Sequence, residues 1–398
     1  MPPLARWILF PALTMSLGWG LRGYIGGGPL GAMIPGALVA LCLCLLLDRR
    51  GDDAAIIAAW GAVGIGFGGQ MTYGQTIGLA LAESTRAWGL TGLALKGAIW
   101  GFLGGIIVAL ALLRHKFSRR DILIALALMA IATFAGWKLF NEPKLVYFSH
   151  PTDKPRPEIW LGLLAGAVAI LVWLRNAILL QFALIGAIAG GIGFGFGGYI
   201  QVLGKPYPKP LIGYWKQMEL FLGFMLGAGL GLSAWLHRNE LKAPEIPKQT
   251  NIAAALLVPF ALFADQMPAR AGYTYLGAVL LALAILYTPS ARHIAITMTY
   301  CAFSIDFQRN RPNLDQTALW AFVIVTTIVV AVLVERFREP APLFLLLLIT
   351  SVVNSMMKSF IPSPKDLFHL AAMEILFALI AIAAATLMPR QSPQHTTA

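Results

Sequence analysis

The stretch Gly97-Ala-Ile-Trp-Gly-Phe-Leu-Gly-Gly-Ile-Ile-Val-Ala-Leu-Ala-Leu-Leu113 contains no charged residue and is followed directly by Arg114-His115-Lys116. A helix needs about 20 mainly apolar residues to cross the hydrocarbon core of a bilayer. This stretch and the few residues before it meet that requirement, and basic residues commonly flank such helices. The sequence therefore predicts a membrane-spanning helix that ends at its basic flank.

Segments of the same kind fill most of the chain. Of its 398 residues, 58% are hydrophobic and 12% are charged, whereas roughly one quarter of an ordinary soluble protein is charged. Side chains that face lipid need no charge, so a membrane protein can be built from this composition. Spans are predicted at 4–23, 29–48, 54–80, 92–114, 121–140, 158–174, 176–203, 216–236, 251–267, 273–288, 292–305, 316–335, 341–360 and 366–388. We expect an all-α, polytopic transmembrane bundle of about 14 helices, with the lipid bilayer as its main partner.

Several other classes of protein are disfavoured. The net charge of +12 is explained by basic residues at helix ends, and no basic arm stands outside the apolar segments, so we expect no nucleic-acid partner. The cysteines Cys42, Cys44 and Cys301 lack metal-binding or disulfide spacing. The glycine runs Gly64–Gly69 and Gly193–Gly198 have spacing like that of a dinucleotide motif, but they lie within apolar helices instead of between a strand and a helix. P-loop and hydrolase motifs are missing, so neither a metal nor a cofactor is expected.

The chain contains an internal similarity. The glycine-rich run Gly64–Gly69 recurs as Gly193–Gly198, and the stretch Gly101–His115 matches Gly223–His237 without gaps. A shift of four helices preserves the direction of each helix, which is typical of parallel repeats. We predict a first four-helix repeat at 1–120, a second at 121–250, and a degenerate third repeat with a final helix pair at 251–390.

Polar residues gather where the odd-numbered spans end, and alternating helices would bring these ends to one membrane face, which we call the polar face. This face is predicted to hold a substrate-binding cavity. Its candidate residues are Arg22, Gln70, Tyr73, Gln75, Arg86, Tyr199, Gln201, Asp265, Arg270, Asp306 and Arg309. The opposite face carries short charged stretches such as Asp48-Arg49-Arg50, and it is predicted to be a plain boundary.

Arg22 and the glycine runs each admit two interpretations. An arginine at a helix end is commonly an interfacial anchor, but several cations in one pocket would suit a phosphate or carboxylate. Glycine runs favour close helix packing, or they mark broken helices whose backbone lines a cavity. The triplet Gly26–Gly28, followed by Pro29, is the best candidate for such a break.

Three ionisable residues are predicted to lie inside spans, namely Lys96, Glu219 and Glu374. Such residues are candidates for function because a charge inside a membrane is costly. A Lys96–Glu219 pair could tie the two repeats together. Glu374 and Asp306 could instead be protonation sites that couple ion movement to transport.

Three functions fit these features. The first is a transporter or flippase for an anionic or amphiphilic substrate, such as an anionic small molecule or a lipid head group. The second is a membrane enzyme acting on an anionic lipid or lipid-linked sugar, with Asp306, Asp265 or Glu83 as general base. The third is a non-catalytic subunit of a complex. The basic residues near helix ends favour a bacterial inner membrane with the N-terminus in the cytoplasm.

Overall fold

The computed structural model describes residues 3–25, 27–149, 158–242, 270–337, 339–361 and 367–389, with the backbone alone at 24, 25 and 270–275. Within these ranges the chain is all-α and forms no strand. The first helices are α1 (Pro3–Ile25), α2 (Gly28–Leu46), α3 (Gly51–Gly68), α4 (Gly74–Leu81), α5 (Arg86–Leu113), α6 (Arg119–Gly136) and α7 (Trp160–Leu174). The next are α8 (Ala177–Gly204), α9 (Tyr214–Leu236) and α10 (Arg270–Leu286). Helix α11 starts as Pro289–Arg292, passes through a π-helical turn at His293–Thr297 and continues as Met298–Arg309. The last are α12 (Gln316–Arg336), α13 (Pro340–Phe360) and α14 (Leu367–Leu387).

Long apolar helices dominate this fold. Nine helices in the described ranges are long and apolar enough to cross a membrane. Helix α8 shows how they meet lipid, since Leu184, Ile188 and Ile192 lie on its exposed side while Ala183 and Phe194 are buried. An outer surface of large aliphatic side chains is stable in hydrocarbon and not in water. The chain is therefore an integral membrane helical bundle, and the predicted fold class is confirmed.

The predicted span at 54–80 is not one helix. Helix α3 ends at Gly68 and α4 begins at Gly74, so the intervening loop Gly69–Tyr73 interrupts the segment. Together α3 and α4 run antiparallel to α5, whose 28 residues extend over about 42 Å at 1.5 Å per residue. The loop lies deep beside α5, because Gly68 packs on Trp100 of α5. The single continuous helix was wrong, and the segment is a broken one.

Glycines bring several helices to backbone contact. In α5, Gly97 and Gly101 face the carbonyl oxygens of Gly190 and Gly186 in α8, and a Cβ at any of these four positions would overlap the partner helix. Helix α8 runs unbroken through Gly193–Gly198. Within this run a Cβ on Gly198 would overlap a side-chain atom of Leu93 in α5, and one on Gly197 would lie 3.0 Å from Met218 in α9. Close packing therefore explains that glycine run, as small residues do in many membrane helix pairs.

The connection between α1 and α2 lies next to the break at Gly69–Tyr73. Helix α1 ends at Ile25 and α2 begins at Gly28, whose φ of +67° favours glycine. The carbonyl of Gly28 packs directly against Gly69. The glycine triplet thus lies where one complete helix ends and the next begins, and this connection adjoins the loop between α3 and α4.

The division into repeats at 1–120, 121–250 and 251–390 stays a prediction. The predicted span at 251–267 lies outside the described residues.

Candidate functional site

Arg22 occupies an aromatic cage inside the bundle. It lies in the last turn of α1, yet its relative exposure is only 5%. Its guanidinium carbon lies 5.2 Å from the ring centroids of Trp19 and Trp100 and 5.3 Å from that of Tyr73. At these distances the ring faces attract a cation. Arg22 is therefore buried among rings and does not extend to the interface as an anchor would.

A chain of hydrogen bonds runs from Arg22 to α9. The Nη1 atom of Arg22 donates to the hydroxyl of Tyr73 at 2.6 Å, and that hydroxyl donates to Oε1 of Glu219 at 3.4 Å. Glu219 also accepts from Nε1 of Trp215 at 3.0 Å and from Nζ of Lys216 at 2.5 Å. We call these five residues the Arg22 cluster. It joins α1, the loop before α4, and the start of α9.

The Arg22 cluster has more positive than negative charge. Of its five residues, Arg22 and Lys216 are cations and Glu219 is a carboxylate, which bonds to Tyr73 and Lys216. Across the described ranges no carboxylate lies within salt-bridge distance of Arg22, and its buried Nε atom has no hydrogen-bond partner. A buried charge without a direct counter-ion is costly, so this arrangement is suited to an added anion.

The backbone break is what directs Tyr73 toward Arg22. Because α3 ends at Gly68, residues 69–73 leave the helix axis, and Tyr73 caps the start of α4. Its ring stacks on Trp215 with centroids 5.8 Å apart. On α1, Gly23 leaves room for Glu219, since a Cβ there would lie 2.5 Å from Oε1.

Three of the predicted glutamines lie at or near this region. Gln70 is buried in the broken loop, and Gln75 is half-buried in the first turn of α4. Gln201 on α8 is buried and donates from Nε2 to the sulfur of Met218 at 3.1 Å. Met218 directly precedes Glu219 on α9. Their part in a substrate-binding cavity stays a prediction.

Other predicted substrate-binding residues lie apart from Arg22. Tyr199 is 40% exposed and packs on Phe196 at the outer side of α8. Arg86 lies near the surface, 4.0 Å from Glu83. Arg309 is exposed at the end of α11.

Asp306 and two further candidates complete the set. Asp306 accepts a hydrogen bond from Nζ of Lys358 at 2.5 Å, which links α11 to α13. Asp265 lies outside the described residues, and Arg270 begins α10 with its side chain outside them.

The predicted Lys96–Glu219 tie is wrong. Lys96 is fully buried and its Nζ lies 2.9 Å from Oε1 of Glu158, while Glu219 pairs with Lys216. Glu158 immediately precedes α7, so the salt bridge connects α5 to that part of the chain. Each of the two residues found a nearer partner of opposite charge, which leaves them in separate clusters.

The opposite face is more than the plain boundary that was predicted. Asp53 bonds both Arg49 and Arg114, and Asp52 bonds Arg292 of α11. All of these side chains are buried or nearly so. Arg49 also donates to the carbonyls of Leu112 and Leu241. We call Arg49, Asp52, Asp53, Arg114 and Arg292 the Asp52–Asp53 network.

Several site residues were missed in the sequence. Trp19 precedes Arg22 by three residues, and Lys216 precedes Glu219 by three, a spacing that places both members on one helix face. Asp52 and Asp53 begin an apolar helix, where acidic residues are favoured by the helix dipole. These local spacings were visible, whereas the contribution of Trp100 depends on how α5 packs against α1.

The described residues therefore form a membrane bundle with a cationic cluster beside a backbone break, and a buried network of ion pairs lies at its other end. No protein-family model matches the sequence, and no curated protein and no solved structure matches it significantly.

Proposed function

We propose that the chain is a membrane transporter or flippase for an anionic or amphiphilic small substrate. In this proposal the anionic group binds at the Arg22 cluster, beside the loop Gly69–Tyr73. A phosphate or a carboxylate would suit the site, since a guanidinium group can hold either with two hydrogen bonds.

The observation that carries the proposal is the burial of the cation Arg22 among neutral groups. Its guanidinium is almost fully buried, contacts three aromatic rings and has a neutral hydroxyl as its hydrogen-bond partner. Ionisable groups inside membrane proteins commonly mark substrate or ion pathways, because a membrane protein otherwise avoids their cost. An incoming anion would neutralise the excess charge of the Arg22 cluster.

The broken segment supports the same proposal. Short helices that end inside a membrane protein commonly direct backbone groups at a substrate. Helix α4 starts at Tyr73, whose hydroxyl contacts Arg22, and no side chain caps this helix start. The partial positive charge of the α4 N-terminus therefore adds to that of the cluster.

The enzyme alternative receives less support. Of its proposed general bases, Asp306 is bound to Lys358. Glu83 has a side chain that is 90% exposed and lies beside Arg86. Asp265 lies outside the described residues. In the described ranges neither Asp306 nor Glu83 is placed to act beside Arg22.

The proposal includes an orientation. With the N-terminus in the cytoplasm of a bacterium, the Asp52–Asp53 network faces the cytoplasm and the Arg22 cluster lies toward the other side. The short basic stretches around Arg49 and Arg114 support this orientation, since such residues are enriched in cytoplasmic loops.

Reconstitution into liposomes tests the function. A lipid arm follows the movement of fluorescent phosphatidylglycerol between leaflets, with phosphatidylcholine as its neutral-headgroup comparison. A soluble arm follows counterflow of labelled sulfate, phosphate and acetate. We expect one arm to show movement by the wild-type protein, and Arg22→Gln to reduce it about tenfold or more, since hydrogen bonds to a charged group contribute about 1.5–3 kcal/mol.

The matched control is Arg6→Gln, which removes a charge from an exposed position on the same helix. It should leave movement unchanged, and thermal unfolding in detergent checks that both variants are folded. Failure of the wild-type protein to move any probe, or full activity of Arg22→Gln, would contradict the proposal. Turnover of a lipid-linked substrate in detergent would favour the enzyme instead.

A further inference from the structure

A buried carboxyl group lies between α13 and α14. Glu374, two turns into α14, has a relative exposure of 2%. Its Oε1 accepts hydrogen bonds from the hydroxyls of Ser355 at 2.8 Å and Ser359 at 2.5 Å, both on α13. No cation lies within salt-bridge distance of Glu374 in the described ranges. The carboxyl is thus held by neutral groups.

The second oxygen of this carboxyl has no hydrogen-bond partner. The Oε2 atom of Glu374 is buried, and no donor or acceptor of the described residues reaches it. On α13 the buried polar atoms Oγ of Ser351 and Nδ2 of Asn354 are also without partners. Ser351, Ser355 and Ser359 recur every four residues, so they form one polar strip along α13. A carboxylate with one unpartnered oxygen is expensive in such surroundings, and a proton on that oxygen removes the charge.

Helices α1 and α13 pack against α14, and α9 packs against α1, so the cations of this part of the bundle lie on α1, α9 and α13. Lys216 of α9, a member of the Arg22 cluster, donates from Nζ to the carbonyl of Gly20 at 2.9 Å, and Gly20 packs against Phe377, three residues after Glu374. Helix α1 packs against α14 where Gly20 meets Phe377, and its Arg22 lies in the aromatic cage. Lys358 of α13 is bound to Asp306. Lys216 therefore connects Glu219 to the part of α1 that packs against α14, the helix that carries Glu374.

We propose that Glu374 is a proton-binding site, with the proton on Oε2, and that Lys216 couples it to anion binding at the Arg22 cluster. With Glu374 ionised, Arg22 and Lys216 are balanced by Glu219 and Glu374. A proton from the aqueous side converts the Glu374 carboxylate into a carboxylic acid and leaves one positive charge in excess. A monovalent anion then restores neutrality, so the anion and the proton bind together.

This inference deepens the proposed function, on which its coupling step rests. Linkage is reciprocal, so a proton that favours anion binding is itself bound more tightly when the anion is present. The proton site can nevertheless be tested without any anion, which separates its failure from that of the proposed function.

Infrared difference spectroscopy of the purified full chain tests the proton site. We expect a carboxylic-acid C=O band that appears on acidification and is lost in Glu374→Gln. The control Glu142→Gln removes a half-exposed carboxylate that pairs with Lys138 and should leave this band intact. Ser355→Ala combined with Ser359→Ala keeps the carboxyl but removes both hydroxyl donors, so it should shift the band. If neither acidification nor the substitutions at Glu374, Ser355 and Ser359 change a carboxylic-acid band, Glu374 stays ionised and the inference is overturned.

Binding of methanesulfonate and of phosphatidylglycerol tests the coupling, since both carry one negative charge that does not change between acidic and alkaline pH. Wild-type affinity should be about fivefold or more higher at acidic pH. Glu374→Gln, which resembles the protonated form, should bind with little dependence on pH. An affinity that does not change with pH in the wild-type protein overturns the coupling. A Glu374 band with no binding of either probe would support the proton site and count against the proposed function.

Discussion

Lys96 and Glu158 form a salt bridge whose side chains are almost completely removed from solvent, with 1% and 0% exposure. The ammonium of Lys96 also donates to the carbonyl of Thr72 at 2.5 Å and to the hydroxyl of Thr76 at 2.8 Å. Removing one member of a buried pair leaves the other charge without compensation, which costs about 3–5 kcal/mol. We therefore expect Lys96→Met to lower the free energy of unfolding by about that amount, measured by denaturation in detergent.

The exposed pair Lys138–Glu142 provides the control for this prediction. Its side chains are 42% and 49% exposed, and pairs of this kind contribute about 0–1 kcal/mol. Lys138→Met should therefore have little effect. The double variant Lys96→Met with Glu158→Gln should lose less stability than the sum of its single changes. A Lys96→Met protein as stable as Lys138→Met would show that the pair does not stabilise the fold.

Single residues also show what the sequence could predict about the site. Arg22, Tyr73 and Gln201 were identified because polar residues are rare in apolar segments, and the structure places all three at or next to the cluster region. The partner of Lys96 was not predictable, since Glu158 lies 62 positions away in a part of the chain positioned by tertiary packing. The aromatic cage likewise combines rings from three separate segments.

At the scale of helices, the close backbone contact between α5 and α8 can be tested by one substitution. The backbone carbonyl of Gly186 occupies the space that a Cβ on Gly101 would need. We expect Gly101→Val to force the two helices apart. Its free energy of unfolding, measured by denaturation in detergent, should fall by about 1–3 kcal/mol or more, as overpacking does.

The matched control for that change is Gly78→Ala in α4. No atom lies within 4 Å of the position that its Cβ would take. Alanine is also the better helix former by up to about 1 kcal/mol, so this variant should be as stable as the wild-type protein or more so. Equal stability of Gly101→Val and Gly78→Ala would contradict the packing of α5 on α8.

Helices also mark where prediction from the sequence stopped. The long apolar spans were predicted from hydropathy because length and composition decide them. For the glycine runs the sequence left two alternatives, close packing or a broken helix; the first run leads into the break at Gly69–Tyr73, and the similar run in α8 stays helical. The difference between the two glycine runs lies partly outside the local sequence. The break frees the carbonyl of Thr72, and Lys96 of α5 donates a hydrogen bond to it. A tertiary contact thus stabilises a broken backbone in one copy of the pattern.

At the scale of the whole molecule, the Asp52–Asp53 network connects distant parts of the chain at the opposite face. Asp52 of α3 bonds Arg292 of α11, and Arg49 donates to the carbonyl of Leu241 beyond α9. These contacts hold the N-terminal and C-terminal helices together at the end far from Arg22. A transporter with access from both sides must loosen such a closed end during its cycle, which makes the network a test of the proposed function.

Cys44 reports directly on that closure. Its sulfur is buried 3.9 Å from the carbonyl of Ala54 and lies beside Asp53. In a Cys42→Ala background we expect a water-soluble maleimide to label Cys44 slowly. Asp53→Asn should accelerate labelling about tenfold or more, because a change of 1.4 kcal/mol in the opening equilibrium already gives that factor. Mass spectrometry assigns the label, with buried Cys301 as an internal reference.

Asp48→Asn separates opening of this face from a general loss of charge. Asp48 lies at the same end, but its side chain is 67% exposed and pairs only with Arg50 in the described part of the chain. Its neutralisation should therefore leave Cys44 protected. If the maleimide labels Cys44 and Cys301 at equal rates in Asp53→Asn, the variant unfolds as a whole and the network stabilises the fold. If Cys44 in Asp53→Asn is labelled as slowly as in the wild-type background, the network is not what protects Cys44. Removal of the carboxylate that Arg49 and Arg114 share should otherwise expose this cysteine.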